Sequence, residues 1–362
     1  MSGSAAGGES RVLSPRTGLL YLAIVAAIFG GLFLGVDLLF EAAPEVPYNG
    51  FDLSAALIDP AEVLIAMRIG GLRPLDEPPP WPGERAGEIA RRFLVPSDRV
   101  AVVTIEGETR AYPLRVLVFH EVIGDVLGGT PIAVVHHPLS GVTAVFDRRI
   151  GGETLRFGPS GLVVDSHPLL FDRPPGDDLA LLGRSSLWSP LLGRAISGPR
   201  AGAKLSLLPC EVTTWEDFRT RFPDGTIPEP PYAYRKEYRK DLYNQYVGAQ
   251  KLRYPVDPLP AGSPRPLFAP MLIAEVEDEH GRRTLADAIP EIIGRWSGPD
   301  RELSAEGARG IDGIPPRIVD RALGVVTVTG PKVRSVRQAY WFAWNAAEAM
   351  AAEITARSAD GE

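Results

Sequence analysis

The most restrictive feature of this chain is an apolar run near its start, residues 18–40 (GLLYLAIVAAIFGGLFLGVDLLF), whose only charge is Asp37 close to its far end. Coiled as a helix, a run of that length crosses the ~30 Å hydrocarbon core of a bilayer. Arg11 and Arg16 precede it, whereas Asp37, Glu41 and Glu45 lie at or beyond its far end. Cationic flanks stay on the cytoplasmic side during insertion, so the expectation is a cytoplasmic tail at 1–17, one transmembrane helix at 18–40, and the remainder outside the cell membrane. A cleaved signal peptide fits less well. The run exceeds the ~7 to 15 apolar residues of such peptides, and no convincing small-x-small cleavage site follows.

The chain is long enough to bury a core: it has 362 residues, 45% of them hydrophobic and 23% charged. A net charge of -7 and a pI near 5.4 provide no basic field to attract a phosphate backbone, which argues against a nucleic-acid partner. The local exception is residues 234–246, where Arg235, Lys236, Arg239 and Lys240 interleave with Tyr234, Tyr238 and Tyr243. Such a mixture can stack bases, but more often coats a turn or helix. Cys210 is the only cysteine, so no intrachain disulfide forms. It follows Leu207, Leu208 and Pro209 and reads as a small buried hydrophobe.

Residues 41–82 are rich in proline and acidic residues, the composition of a stiff linker or arm. The pattern predicts a short amphipathic helix over 83–94, then strands at 100–105 and 109–112 around a glycine turn. A helix over 113–126 would carry His120 and Glu121. Strands follow at 132–136, 142–150 and 154–157. Thr213 and Glu216, three apart, form a capping-box signature for a short helix ending near Pro223. Beyond it lie a strand at 271–276, a helix at 284–293, a strand at 324–329 and an amphipathic stretch at 336–356. The architecture expected is α+β, with a predominantly antiparallel β core and short helices behind the anchor. Residues 83–225 form the core in this reading, and 226–362 a loop-rich extension with a C-terminal helix packed on it.

The segment RAYPLRVLVFHEVIGDVLGGTPIAVVHHPLSG at 110–141, followed by VFDRRIGGETLRFGPSGL, LLFDR, SSLWSPLLGRAISGP, LPCEVTTWEDFRTRFPD and a late WFAWNAA at 341–347, resembles the bacterial family of domain of unknown function 3179. The resemblance covers residues 72 to 347, most of the region expected outside the bacterial cell membrane. It implies a Cys-Pro-Leu-Cys-Gly turn, a motif suited to thiol exchange or soft-metal binding. The matching residues are His137, Pro138, Leu139, Ser140 and Gly141. Neither a hydroxyl nor an imidazole cycles through a disulfide, so thiol redox at this turn is excluded.

Imidazole does bind metal. His120, His136, His137 and His167 are the metal-ligand candidates, with zinc or copper as the ion. On a strand, however, His136 and His137 point to opposite faces. The alternative is that His137 hydrogen-bonds within a turn and His136 packs at a sheet surface. His120 and Glu121 are candidates for acid–base catalysis or ligand binding, against the alternative of a buried histidine satisfied by a carbonyl. Asp147 and Arg173, each in a neighbouring Asp-Arg pair, and Ser140 are candidate ligand contacts. Ser185 to Ser189 lack a Gly-x-Ser-x-Gly elbow, and Trp188 among them reads as core. The reading leans away from an enzyme. It favours a membrane-anchored extracytoplasmic binding module that has lost thiol chemistry. A histidine-based metal protein and an accessory or scaffold subunit of a membrane complex, with a membrane-protein partner, are the alternatives.

Overall fold

Antiparallel strands rich in apolar side chains build most of this protein. The computed structural model describes residues 46–81, 93–240, 242–278, 281–295, 316–320, 324–328 and 332–359. The apolar run at 18–40 lies outside the described residues, as does most of the helix expected at 83–94. Among the described residues, no helix is long and apolar enough to cross a membrane.

The chain enters through short strands Leu64–Ile65 (β1), Leu75–Asp76 (β2) and Pro80–Trp81 (β3). A hairpin of Arg99–Ile105 (β4) and Glu108–Pro113 (β5) leads into helix Leu114–His120 (α1). The meander Val122–Leu127 (β6), Thr130–His137 (β7) and Val142–Asp147 (β8) follows, then a two-residue hairpin, Arg149–Ile150 (β9) and Glu153–Thr154 (β10). Next come Phe157–Val164 (β11), His167–Asp172 (β12), Leu187–Ser189 (β13), Arg194–Ser197 (β14), Ser206–Leu207 (β15) and Glu211–Thr214 (β16). Helix Trp215–Arg221 (α2), strand Ile227–Pro228 (β17) and helix Asn244–Ala249 (α3) lead to Pro270–Asp278 (β18) and Gly281–Ala288 (β19). The chain closes with helix Ile289–Arg295 (α4), strands Pro316–Asp320 (β20), Val325–Val328 (β21) and Val333–Tyr340 (β22), and helix Trp341–Ala359 (α5).

The architecture is α+β and mostly antiparallel. The large sheet runs β19-β18-β22-β8-β7-β6-β2, with β15 on β8, and only its β2–β6 pairing is parallel. A second sheet runs β1-β11-β12-β13-β14. Val122, Ala133, Val135 and Phe146 of the large sheet meet Phe157, Leu170, Trp188 and Ala195 of the second in one buried cluster. The opposite faces of β6, β7 and β8 carry Ile123, Ile132, Val134 and Val145, which pack with β4, β5, α1 and α2 through Val100, Tyr112, Leu117 and Trp215. Covered on both faces, these strands read as nearly continuous apolar runs.

Several expectations need correction. Helix formation after Pro113 stops at His120, because Val122, Ile123 and Val126 pair with β7 as a strand. Residues 281–288 form a strand on β18, and only 289–295 are helical. The stretch at 336–356 divides into β22 and α5. Residues 47–81, expected within a linker or arm, belong to the compact unit Pro47–Glu362, and Phe51, Leu53, Ile58 and Val63 are buried against β11 and β12 residues. The C-terminal part, expected as an extension packed on the core, supplies β18, β19 and β22 to the large sheet.

The cap of α2 is one residue later than the spacing suggested. Thr214 Oγ1 accepts from Asp217 N at 3.2 Å, while Thr213 Oγ1 donates to Asp217 Oδ2 at 2.7 Å. Thr214→Ala is expected to cost about 1 kcal/mol in chemical denaturation, with Ser restoring most of it. Cys210 is buried as expected, and burial pushes its thiol up to about 12.

One polar network crosses the interior. Asp125 in β6 accepts from Arg110 Nη1 at 2.6 Å and from the Tyr112 hydroxyl at 2.8 Å, both on β5. Arg110 Nε also donates to Thr226 Oγ1 at 2.9 Å, and Arg148 Nη2 donates to the Asp125 carbonyl at 3.1 Å.

Candidate functional site

The four histidines divide according to strand geometry. His136 and His137 do face opposite ways at the end of β7, as successive strand residues must. The His136 ring lies with Thr143 Oγ1 at 2.9 Å and the Val142 carbonyl at 3.1 Å from Nδ1. His120, ending α1, is held at both ring nitrogens: Nδ1 lies 2.7 Å from the Arg73 carbonyl and Nε2 lies 2.6 Å from the Tyr238 hydroxyl. With Nδ1–H donating to the carbonyl, Nε2 accepts from Tyr238. This satisfied core histidine has neither nitrogen free to bind metal or move a proton, and burial lowers its pKa. The Tyr-rich basic segment thus contributes the Tyr238 hydroxyl to the interior: Tyr238 is buried and Tyr234 stacks upon it.

His137 belongs to a different group. Its Nδ1 lies 3.3 Å from Ser140 Oγ, across the turn that ends β7, and its Nε2 lies 3.6 Å from Glu121 Oε1. Gly141 makes the turn possible. Its φ is +68°, and a Cβ there would lie 3.0 Å from the Tyr340 ring. Glu121 joins α1 to β6 with φ 57° and ψ −34°, a conformation unfavourable for a residue with a side chain. Its amide donates to the Leu117 carbonyl, and its own carbonyl accepts from His136 N at 3.0 Å. Burial raises the Glu121 carboxyl to about 8.

His167 opens β12 in the second sheet. Its Nε2 lies 3.2 Å from Ser189 Oγ, whereas its buried Nδ1 has no hydrogen-bond partner. Burial lowers His137 to about 3, with repulsion from the His136 and His167 rings adding to the effect, and lowers His167 to about 4. Segment 243–257 closes over this group. Burial and the nearby Glu121 carboxylate push the Tyr243 hydroxyl up, and the Tyr246 hydroxyl donates to the Leu139 carbonyl at 3.0 Å. Ser166 Oγ donates to the Tyr254 carbonyl at 2.8 Å. Glu121, His137 and Ser140 therefore gather at the turn that ends β7, with the His167 ring near enough to repel His137, while His120 and His136 are engaged elsewhere. Among the described residues, no group of three or more His, Cys, Asp or Glu side chains is arranged to hold a metal ion.

Neither Asp-Arg neighbour pair is an ion pair, because adjacent strand residues diverge. Asp147 binds Arg149, its carboxylate accepting from Nε at 3.0 Å and Nη2 at 2.5 Å, while Arg148 turns inward. Asp172 accepts from Ser186 N and from Arg200 Nη1, the latter at 3.0 Å. Arg173 instead grips Asp76 at 2.6 Å and Asp177 at 2.5 Å. Arg173 also lines an open cleft of about 730 Å3, together with Arg156, Arg184, Arg200, Glu153 and Ser185. The sequence reading missed Arg156, Arg184 and Arg200, as well as Ser189 beside His167. They come from separate strands and turns, so no local spacing connects them.

The fold and its buried turn define a mostly antiparallel α+β domain with buried polar side chains around the turn that ends β7. The family model described as a protein of unknown function (DUF3179) matches residues 83–284, more than half of the chain, and the chain belongs to that family. No curated protein and no solved structure matches it.

Proposed function

We propose that this chain is a membrane-anchored extracytoplasmic binding module that holds a small polar ligand at Glu121, His137, Ser140 and His167. Residues 18–40 provide the anchor in this reading. Thiol redox chemistry has no part in it, because His137 and Ser140 stand where the family resemblance implies sulfur.

The observation that carries the proposal is hydrogen-bonding capacity left unused by buried groups that influence one another electrostatically. His167 Nδ1 is buried without a partner, and the Glu121 carboxyl meets His137 Nε2 at 3.6 Å, longer than a hydrogen bond. Each unmet buried polar group costs about 1 to 3 kcal/mol, and a ligand supplying the missing partners recovers that cost. The strained backbone at Glu121 supports the same reading, since such strain concentrates at ligand clamps.

Native mass spectrometry of the full chain extracted from membranes tests this. A bound small molecule is expected in wild type, released on denaturation and depleted in folded Glu121→Gln and His167→Phe variants. A ligand-free mass in wild type, with no thermal stabilisation by the small-molecule extract of those membranes, would sink the proposal. Zinc or copper in place of an organic mass would favour the metal alternative, and a stable co-purifying membrane protein the accessory-subunit one.

A further inference from the structure

We propose that the arginine-walled cleft is a second binding site, for an oxyanion presenting phosphate or carboxylate groups, and that the Glu153 carboxylate is an internal mimic of that ligand. The cleft meets β12 at Asp172, at the opposite end of the strand from His167, so it is independent of the buried cluster.

The four guanidiniums differ in their commitments. Arg173 is clamped by Asp76 and Asp177, and Arg156 donates to Asp177 at 2.7 Å. These carboxylates hold both side chains rigid and offset their charge. Arg200 is only half committed. Its Nη1 donates to the buried Asp172 at 3.0 Å, but its Nη2 donates to Glu153 at 2.5 Å, whose side chain is 66% exposed. Arg184 is exposed at the rim with no carboxylate partner among the described residues.

One cation is thus free, and a second is satisfied by a carboxylate that reaches in from the solvent side on the β9–β10 hairpin. Exposed pairs of this kind contribute little, so an incoming oxyanion displaces Glu153 readily. The planar guanidinium fork matches carboxylate and phosphate oxygens two at a time, and the cleft volume is typical of small-molecule sites.

Calorimetry on the full chain in detergent, titrated with inorganic pyrophosphate and with tricarballylate, provides the test. Vesicles of phosphatidylglycerol against phosphatidylcholine distinguish a lipid headgroup from a free anion. Saturable, salt-sensitive binding is expected with at least one of these anionic probes. Arg184→Ala should weaken it about tenfold, the loss of one charge-assisted contact. Glu153→Gln should tighten it about two- to fivefold by removing the competing carboxylate. Both positions are exposed, so both variants should unfold at the wild-type midpoint. No saturable binding to any anionic probe would overturn the proposal. So would binding that neither substitution changes.

Discussion

Between pH 6.5 and pH 4 the folded body is expected to lose most of its stability. His136, His137 and His167 are buried in the fold, and burial lowers them to about 4, about 3 and about 4. In the unfolded chain each takes up a proton near its ordinary value of about 6.5. Their contribution is therefore fully present above pH 6.5 and is lost as pH falls toward the folded values, because the unfolded state then binds more protons. Each ring contributes on the order of 3 kcal/mol, and three approach the ~5 to 15 kcal/mol of a whole domain. Glu121 acts with the opposite sign. Its folded value of about 8 lies above its unfolded one, so its contribution is present below pH 4.5 and is lost as pH rises through 8. Urea midpoints on the full chain should peak near about pH 6.5 and collapse by pH 4.5. His167→Phe should soften the acid limb and Glu121→Gln should flatten the alkaline one. A midpoint constant from pH 7.5 to 4.5 would contradict the burial of these rings.

The second large effect is expected at the Arg110–Asp125–Tyr112 network. Arg110→Ala leaves the buried Asp125 carboxylate with only the Tyr112 hydroxyl and the Val126 amide and no counter-charge on its side chain, which should cost about 3 to 5 kcal/mol in denaturant unfolding. The paired change Arg110→Met with Asp125→Leu removes both charges and should cost clearly less than Arg110→Ala alone, since most of the penalty is the abandoned ion. A cost below about 1 kcal/mol for Arg110→Ala would mean that water reaches Asp125.

Parts of this fold were legible in the residues themselves. Strand-forming runs marked β4, β5 and β7, and the opposed faces of His136 and His137 followed from strand geometry alone. The aromatic stretch near Trp341 reads as core, and Phe342, Ala343 and Ala347 are buried. Where two periods compete, the local pattern fails. Residues 114–126 carry helix-compatible apolar spacing throughout, and only pairing with β7 decides that 122–127 extend. Proline content at 41–82 suggested a free arm, since composition does not reveal that Phe51 and Ile58 find a neighbouring sheet. For the candidate site, the side chains around His137 were in view, but their grouping was not: His167 reaches them from another sheet, and His120 is withdrawn by Tyr238, far along the chain.

The turn at 138–141 has one further consequence. Its path is held by groups that do not depend on the side chains at 137 and 140: Tyr340 N donates to the Ser140 carbonyl, Tyr246 reaches the Leu139 carbonyl, and His136 N is anchored on the Glu121 carbonyl. The backbone thus behaves as a socket whose path is set apart from the side chains it presents, so this turn can carry other side chains at 137 and 140 without refolding.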